Sequence, residues 1–172
     1  MLVLNHIINE INTALDHNAY IAALSLALTL PDICGKAEFG EVGNRKRYID
    51  WYDKYVGVVF ENALSEPGKP SLPYLSGEVI YSLRCFLLHQ GTPNIDGKSM
   101  KCNENKITKF VLLCEPKKEN GLYIHEAMRR EQNKELTVNI RGLCQVLTVS
   151  ALEYYRRNIE KFNFFNYTLV YK

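Results

Sequence analysis

In the stretch YSLRCFLLHQG, Tyr81 to Gly91, an arginine and a histidine separated by four residues sit inside an apolar run that ends in glycine. The guanidinium of Arg84 offers a planar fork that matches a phosphate better than the point charge of a lysine. The imidazole of His89 is the side chain suited to moving a proton near neutral pH. Together they are the parts of an acid–base site acting on a phosphate ester, provided something brings them to one place.

The run from Gly77 to Gln90 has a helical pattern, with Ser76 as its cap and with Gly91 and Pro93 to end it. On a wheel at about 100° per residue starting from Val79, the residues Val79, Ile80, Leu83, Phe86 and Leu87 fall between about −20° and 100°. That stripe faces a core. Arg84 falls near 140° and His89 near 280°, on opposite flanks of the outward face. Between them lie Gly77, Tyr81, Cys85 and Leu88, and so much apolar content on an outer face predicts a partner helix. A second copy docked there by a two-fold axis brings Arg84 of one chain towards His89 of the other. Gly77, Tyr81 and Leu88 are therefore expected at a dimer interface. Glu78, Ser82, Cys85 and His89 recur at four, three and four residues and line one edge of the helix, so the first three are candidate supporting residues for His89. For Glu78, an interaction with the helix N-terminus is an equally good reading.

The elements that must hold this helix are mostly helical. Leu4, Ile7, Ile8, Ile11 and Leu15 predict a helix over residues 3 to 16. The apolar AYIAALSLALTL that follows predicts a helix buried on several sides, stopped at Pro31 or beginning a short turn there. Three glycines mark DICGKAEFGEVGN as a loop. Tyr48, Tyr52, Tyr55, Val56 and Val59 form the stripe of a further helix, and a long helix is predicted over residues 137 to 161. ITKFVLLCE has the composition of a buried strand, and the alternating FNFFNYTLVYK predicts a second strand to pair with it. The expected fold is mainly α, a bundle of about five helices with a small antiparallel β element near the C-terminus, in one domain spanning residues 1 to 172.

Composition sets the limits. The 172 residues are 47% hydrophobic and 23% charged, enough for a substantial core, and 21 basic against 19 acidic residues leave a net charge of +2. Any anion site must therefore be local. The basic run at Arg45, Lys46 and Arg47 is a candidate for phosphate contact, although such a run at a helix start is more often a solvated surface. Five cysteines without a Cys-x-x-Cys pair indicate neither a disulfide framework nor a zinc site. The longest apolar run, 13 residues with its proline, is shorter than the roughly 20 of a spanning helix. No metal, cofactor or membrane association is expected, and the chain reads as soluble and cytoplasmic. DGKS lacks the first glycine of a phosphate loop, because Thr92 stands there, and HEAMR at His125 lacks the second histidine of a zinc-protease helix. Asp32 reads first as an N-cap or turn residue and only second as a site residue.

The segment LSGEVIYSLRCFLLHQG resembles the active-site helix of the HEPN superfamily (higher eukaryotes and prokaryotes nucleotide-binding), and the helical segments around it, including LTVNIRGLCQVLTVSALEYYRRN, are loosely similar to that family's bundle. The resemblance implies a metal-independent endoribonuclease that dimerises to form a composite site and works in a toxin–antitoxin pair or in antiviral defence. It implies His89 as general acid or base, Arg84 on the scissile phosphate, RNA as substrate and an antitoxin or regulatory protein as partner. Arg45, Lys46 and Arg47 are then RNA-binding candidates. One position departs from the pattern: Cys85 stands where active members often carry Asn, Asp or His. The alternative reading is a non-catalytic HEPN-like module that binds a nucleotide or a protein partner in the same groove.

Overall fold

The computed structural model describes residues 3–59, 75–90, 109–116, 129–130, 135–165 and 170. The first helix, α1 (Val3–Asp16), buries Leu4, Ile8, Ile11 and Leu15, the three- and four-residue recurrence seen in the sequence. It is followed by α2 (Tyr20–Ala27) and α3 (Leu30–Phe39), which make one apolar rod interrupted by a turn at Leu28 and Thr29. Pro31 lies in the first turn of α3, where its missing N–H has no helical acceptor to lose. The stretch DICGKAEF is therefore helix and not loop, and the turn is confined to residues 40–43. Gly35 marks a close approach: a Cβ there would stand 2.6 Å from the carbonyl oxygen of Arg47. Glycine is what lets the two helices meet.

By length and composition the 20-residue rod Tyr20–Phe39 is the one candidate among the described residues for crossing a membrane. Its apolar side is occupied within the chain. Ala23, Leu24, Ala27, Leu28, Leu30 and Cys34 are fully buried, with α2 against α1 and α3 against the next helix, α4 (Asn44–Tyr52). After α4 the chain continues through a π-helical turn at Asp53–Gly57. The helix carrying the predicted site is α5 (Gly77–Gln90). The longest helix, α6 (Ile140–Arg157), packs on α1, α2 and α3 and ends in a 3₁₀ turn at Ile159–Phe162. It starts three residues later than the periodicity predicts, because Asn139 caps it by accepting from the N–H of Gly142 at 3.0 Å.

The β element is small, and its pairing differs from expectation. Strand β1 (Lys109–Leu113) pairs in parallel with β3 (Glu135–Asn139), from Lys109 opposite Glu135 to Leu113 opposite Asn139. The two-residue β2 (Arg129–Arg130) pairs antiparallel on the other side of β3, giving the order β1-β3-β2. The antiparallel element is thus corrected to a mixed sheet whose longer pairing is parallel. The predicted helix takes in residues 137–139, yet Leu136 and Val138 alternate into the core as strand residues do. Of the predicted C-terminal strand, residues 166–169 and 171–172 lie outside the described residues, as do DGKS and His125.

The buried side chains form one connected cluster. Its largest fully buried members are Trp51, Tyr48 and Tyr52 on α4, so the aromatic stripe of that helix is core. Four of the cysteines fall among the described residues and all are free. Cys34 and Cys144 are core residues, and burial pushes the Cys144 thiol up to about 12.

Candidate functional site

Two stripes run along α5. Val79, Ile80, Leu83 and Phe86 face the core, as the wheel predicts. The other stripe, Gly77, Tyr81 and Arg84 at four- and three-residue steps, is turned towards α4 and α3. Gly77 makes this possible: its Cβ position is 2.8 Å from the carbonyl oxygen of Ile49, and its N–H donates to Asp53 Oδ1 at 2.6 Å. Four residues on, the Tyr81 ring meets the edge of Tyr48 at 5.2 Å between centroids. Gly77 and Tyr81, placed on the outer face by the wheel, are thus occupied in packing α5 on its own chain. The residues that α5 presents openly are at its end, where Leu88 and His89 are exposed.

Arg84 lies where α3, α4 and α5 converge. Its guanidinium carbon is 5.7 Å from the centre of the Tyr48 ring and 5.8 Å from that of Tyr81, distances at which a cation is attracted to the ring face. One terminal nitrogen stands 3.5 Å from Asp32 Oδ2. The other oxygen, Oδ1, accepts from Arg47 Nε and lies 3.0 Å from Arg47 Nη2. A single carboxylate therefore faces two guanidiniums from different helices. Arg84 Nε is buried and has no acceptor among the described residues. Burial, followed by the charge and hydrogen bonding of Cys85, pushes the Tyr81 hydroxyl up.

The basic run is no free cationic strip. Arg45 pairs with Glu78 across the α4–α5 contact, Lys46 with Asp50 one turn along its own helix, and Arg47 with Asp32. The Arg45 guanidinium carbon also lies 5.8 Å from the Tyr81 ring centre, on which Arg84 converges too. Arg45, Arg47 and Arg84 thus form one cluster with Asp32 and Glu78, which carries one net positive charge. Of the supporting residues predicted for His89, Glu78 is held by Arg45, and Ser82 donates to its own helix at Glu78 O, 2.9 Å away. Cys85 is half-buried next to Tyr81. His89 is on the exposed last turn and belongs to neither group.

The structure therefore brings together the arginine of α5 and two cations of α4, and it leaves the histidine apart. The residues that sequence reasoning placed last are Asp32 and Tyr48, both of them contacts of Arg84. Nothing local links Asp32 to a position so far along the chain; in the sequence it reads first as an N-cap or turn residue beside Pro31. A cavity of about 390 Å³ opens elsewhere, between Tyr55, Val149, Glu153 and Arg157, and neither Arg84 nor His89 lines it. Among the described residues no three His, Cys, Asp or Glu side chains gather in a metal-binding group.

No family model matches the chain, and no characterised protein or solved structure does so either.

Proposed function

We propose that the protein is a metal-independent endoribonuclease of HEPN type that acts as a homodimer in the cytosol, with Arg84 and His89 in a composite site and with a toxin or antiviral-defence role. The observation that carries this reading is the division of labour along α5: Arg84 is held where α3, α4 and α5 converge, with its side chain 20% exposed, and His89 stands exposed at the helix end. Within one chain the two flanks point apart, so cooperation calls for a second copy docked at the Leu88 and His89 end. RNA cleavage of this type has the 2′-oxygen attack phosphorus while the bond to the 5′-oxygen breaks. One histidine takes the 2′-hydroxyl proton, the partner's supplies a proton to the leaving oxygen, and an arginine balances the charge building on the phosphorane. The test is cleavage of mixed cellular RNA in EDTA beside Arg84→Ala and His89→Ala. Loss in both variants, with a cyclic phosphate on the 3′ side of the parent's products, supports the reading; parent and variants behaving alike refutes it.

A specific observation favours the second reading, a HEPN-like module that binds a nucleotide or a protein such as an antitoxin. Arg84 is already ion-paired to Asp32, and Cys85 is engaged with Tyr81, so these side chains are partnered within the chain as in a settled binding surface. Nucleotide binding that survives His89→Ala, with no RNA cleavage by the parent, selects it.

A further inference from the structure

Arg47 and Arg84 come from different helices and meet on one carboxylate, Asp32, which gives one oxygen to each. We infer that Arg47 is a second phosphate-binding guanidinium of the Arg84 site, and that Asp32 is the residue that positions the pair. The inference rests on the reading that Arg84 binds a phosphate.

Three observations carry it. The first is accessibility: the side chains of Arg47, Arg84 and Asp32 are 12%, 20% and 23% exposed, so the group is sunk into the fold yet still reached by solvent. The second is unspent capacity. A guanidinium has five N–H donors; Arg84 meets Asp32 through one terminal nitrogen at the loose distance of 3.5 Å and its Nε is buried, so the donors left for a ligand are those of the terminal nitrogens. The third is charge. Two arginines against one carboxylate leave a positive excess, and Arg45 beyond Tyr81 is already balanced by Glu78. Two forks spaced by a shared acid present donors to a phosphodiester without paying rotamer entropy at binding, which is how preorganisation raises affinity. Tyr48 and Tyr81 fix the plane of Arg84 from the ring side.

Removing an acid from an RNA-binding face ordinarily strengthens binding. A positioning role for Asp32 predicts the reverse, which gives the test its sign. The probe is a uniformly 2′-O-methylated RNA oligonucleotide, which cannot be cleaved by 2′-oxygen attack. Its affinity is measured across a salt series for the full chain and for Asp32→Asn, Arg47→Ala and Arg84→Ala, each first checked for native circular dichroism and melting. The expected result is a loss of about tenfold in affinity for each arginine variant, with the salt slope reduced by about 0.7 per lost phosphate contact on a single strand. Asp32→Asn is expected to bind more weakly than the parent, and its Arg84 Nε–H signal in nitrogen-edited NMR, slowly exchanging in the parent, to broaden. Weakening by Arg84→Ala with Arg47→Ala equal to the parent overturns the inference and leaves the phosphate reading standing. Both arginine variants equal to the parent overturns the two together. Tighter binding by Asp32→Asn removes its positioning role, and if that variant does not fold, the salt slopes of the arginine variants decide the role of Arg47.

Discussion

The Tyr154 hydroxyl, on α6, donates to Glu38 Oε2 on α3 at 2.9 Å, joining two helices far apart in the sequence. Glu38 also accepts from Tyr55 and Lys54 through Oε1, at 2.9 and 2.7 Å, and from Lys161 through Oε2, at 2.9 Å. One carboxylate thus ties α3 to the π-helical turn, to α6 and to the 3₁₀ turn. Burial pushes this carboxyl up, but the hydrogen bonds from Lys54, Lys161, Tyr154 and Tyr55 outweigh it and hold it down at about 2.

A depressed carboxylate stabilises the fold at pH values above its unfolded value, about 4.3, and the contribution is lost as pH falls towards 2. Glu38→Gln keeps the shape and removes the charge. It is expected to cost about 1–3 kcal/mol at neutral pH, because four donors lose a charged acceptor. The variant should also lose less stability than the parent between about pH 4.3 and 2. Urea unfolding across that range reads both effects; parallel curves for parent and variant would rule out the assigned role.

Gly77→Ala sets two effects of opposite sign against each other. Helix propensity alone favours alanine by up to about 1 kcal/mol. The added Cβ, however, would meet backbone of α4 at 2.8 Å and Asp53 Oδ1 at 3.0 Å. Close contact with a carbonyl oxygen wins, and the variant is expected to be less stable by about 1–3 kcal/mol. Gly57→Ala is the control, since its Cβ would find only ordinary contacts at 3.6 and 3.7 Å. Equal melting temperatures for Gly77→Ala and the parent would show that α4 and α5 can separate without cost.

Arg141 is buried at the start of α6 and donates to the carbonyl oxygen of Leu15 at 2.8 Å, to that of Glu115 at 3.1 Å and to Asn18 Oδ1 at 3.3 Å. It satisfies the C-terminal end of α1 and lies against the Tyr20 ring at 5.5 Å. Arg141→Met keeps much of the volume but takes one donor from each of these acceptors, which keep the Asn18 N–H and the Tyr20 hydroxyl, at an expected cost of about 1–3 kcal/mol. Guanidinium chloride unfolding measures it, and a loss under about 1 kcal/mol would mean that water replaces the guanidinium freely.

These contacts show where a reading of the sequence stops. The stripe of α1 and the core face of α5 were legible, because a 3.6-residue period survives whatever packs against it. The glycines misled: Gly35 and Gly77 read as a loop marker and an outer-face residue, and both are points where helices touch closely. Strand β3 was hidden because Leu136, four residues before Ile140, continues the helical stripe of α6, and only the Asn139 cap divides them. Arg84 was legible as a candidate phosphate ligand by residue type. Its contacts were not, since Asp32, Arg47 and Tyr48 come together through tertiary structure and carry no spacing signature.

The separation of Arg84 from His89 supports one further prediction. If the site is made by two chains, each functional unit takes its arginine from one copy and its histidine from the other. Arg84→Ala and His89→Ala are then each inactive alone. Mixed in equal amounts and allowed to exchange, half of the dimers are heterodimers, each with one complete pair and one empty pair. Where one histidine suffices for each site, RNA cleavage in EDTA returns to about one quarter of the parent rate, and light scattering shows the dimer throughout. A site contained within one chain has no complete pair in any combination, so a mixture as inactive as its components, in a sample shown to exchange subunits, would exclude this arrangement. One proton transfer for each histidine predicts an inactive mixture as well, and two tandem fusions separate it: Arg84→Ala in one copy keeps both histidines and one arginine, whereas His89→Ala in one copy keeps both arginines and one histidine. Activity in the first fusion and none in the second, beside an inactive mixture, would assign the two proton transfers to the two histidines; a site contained within one chain leaves both fusions active.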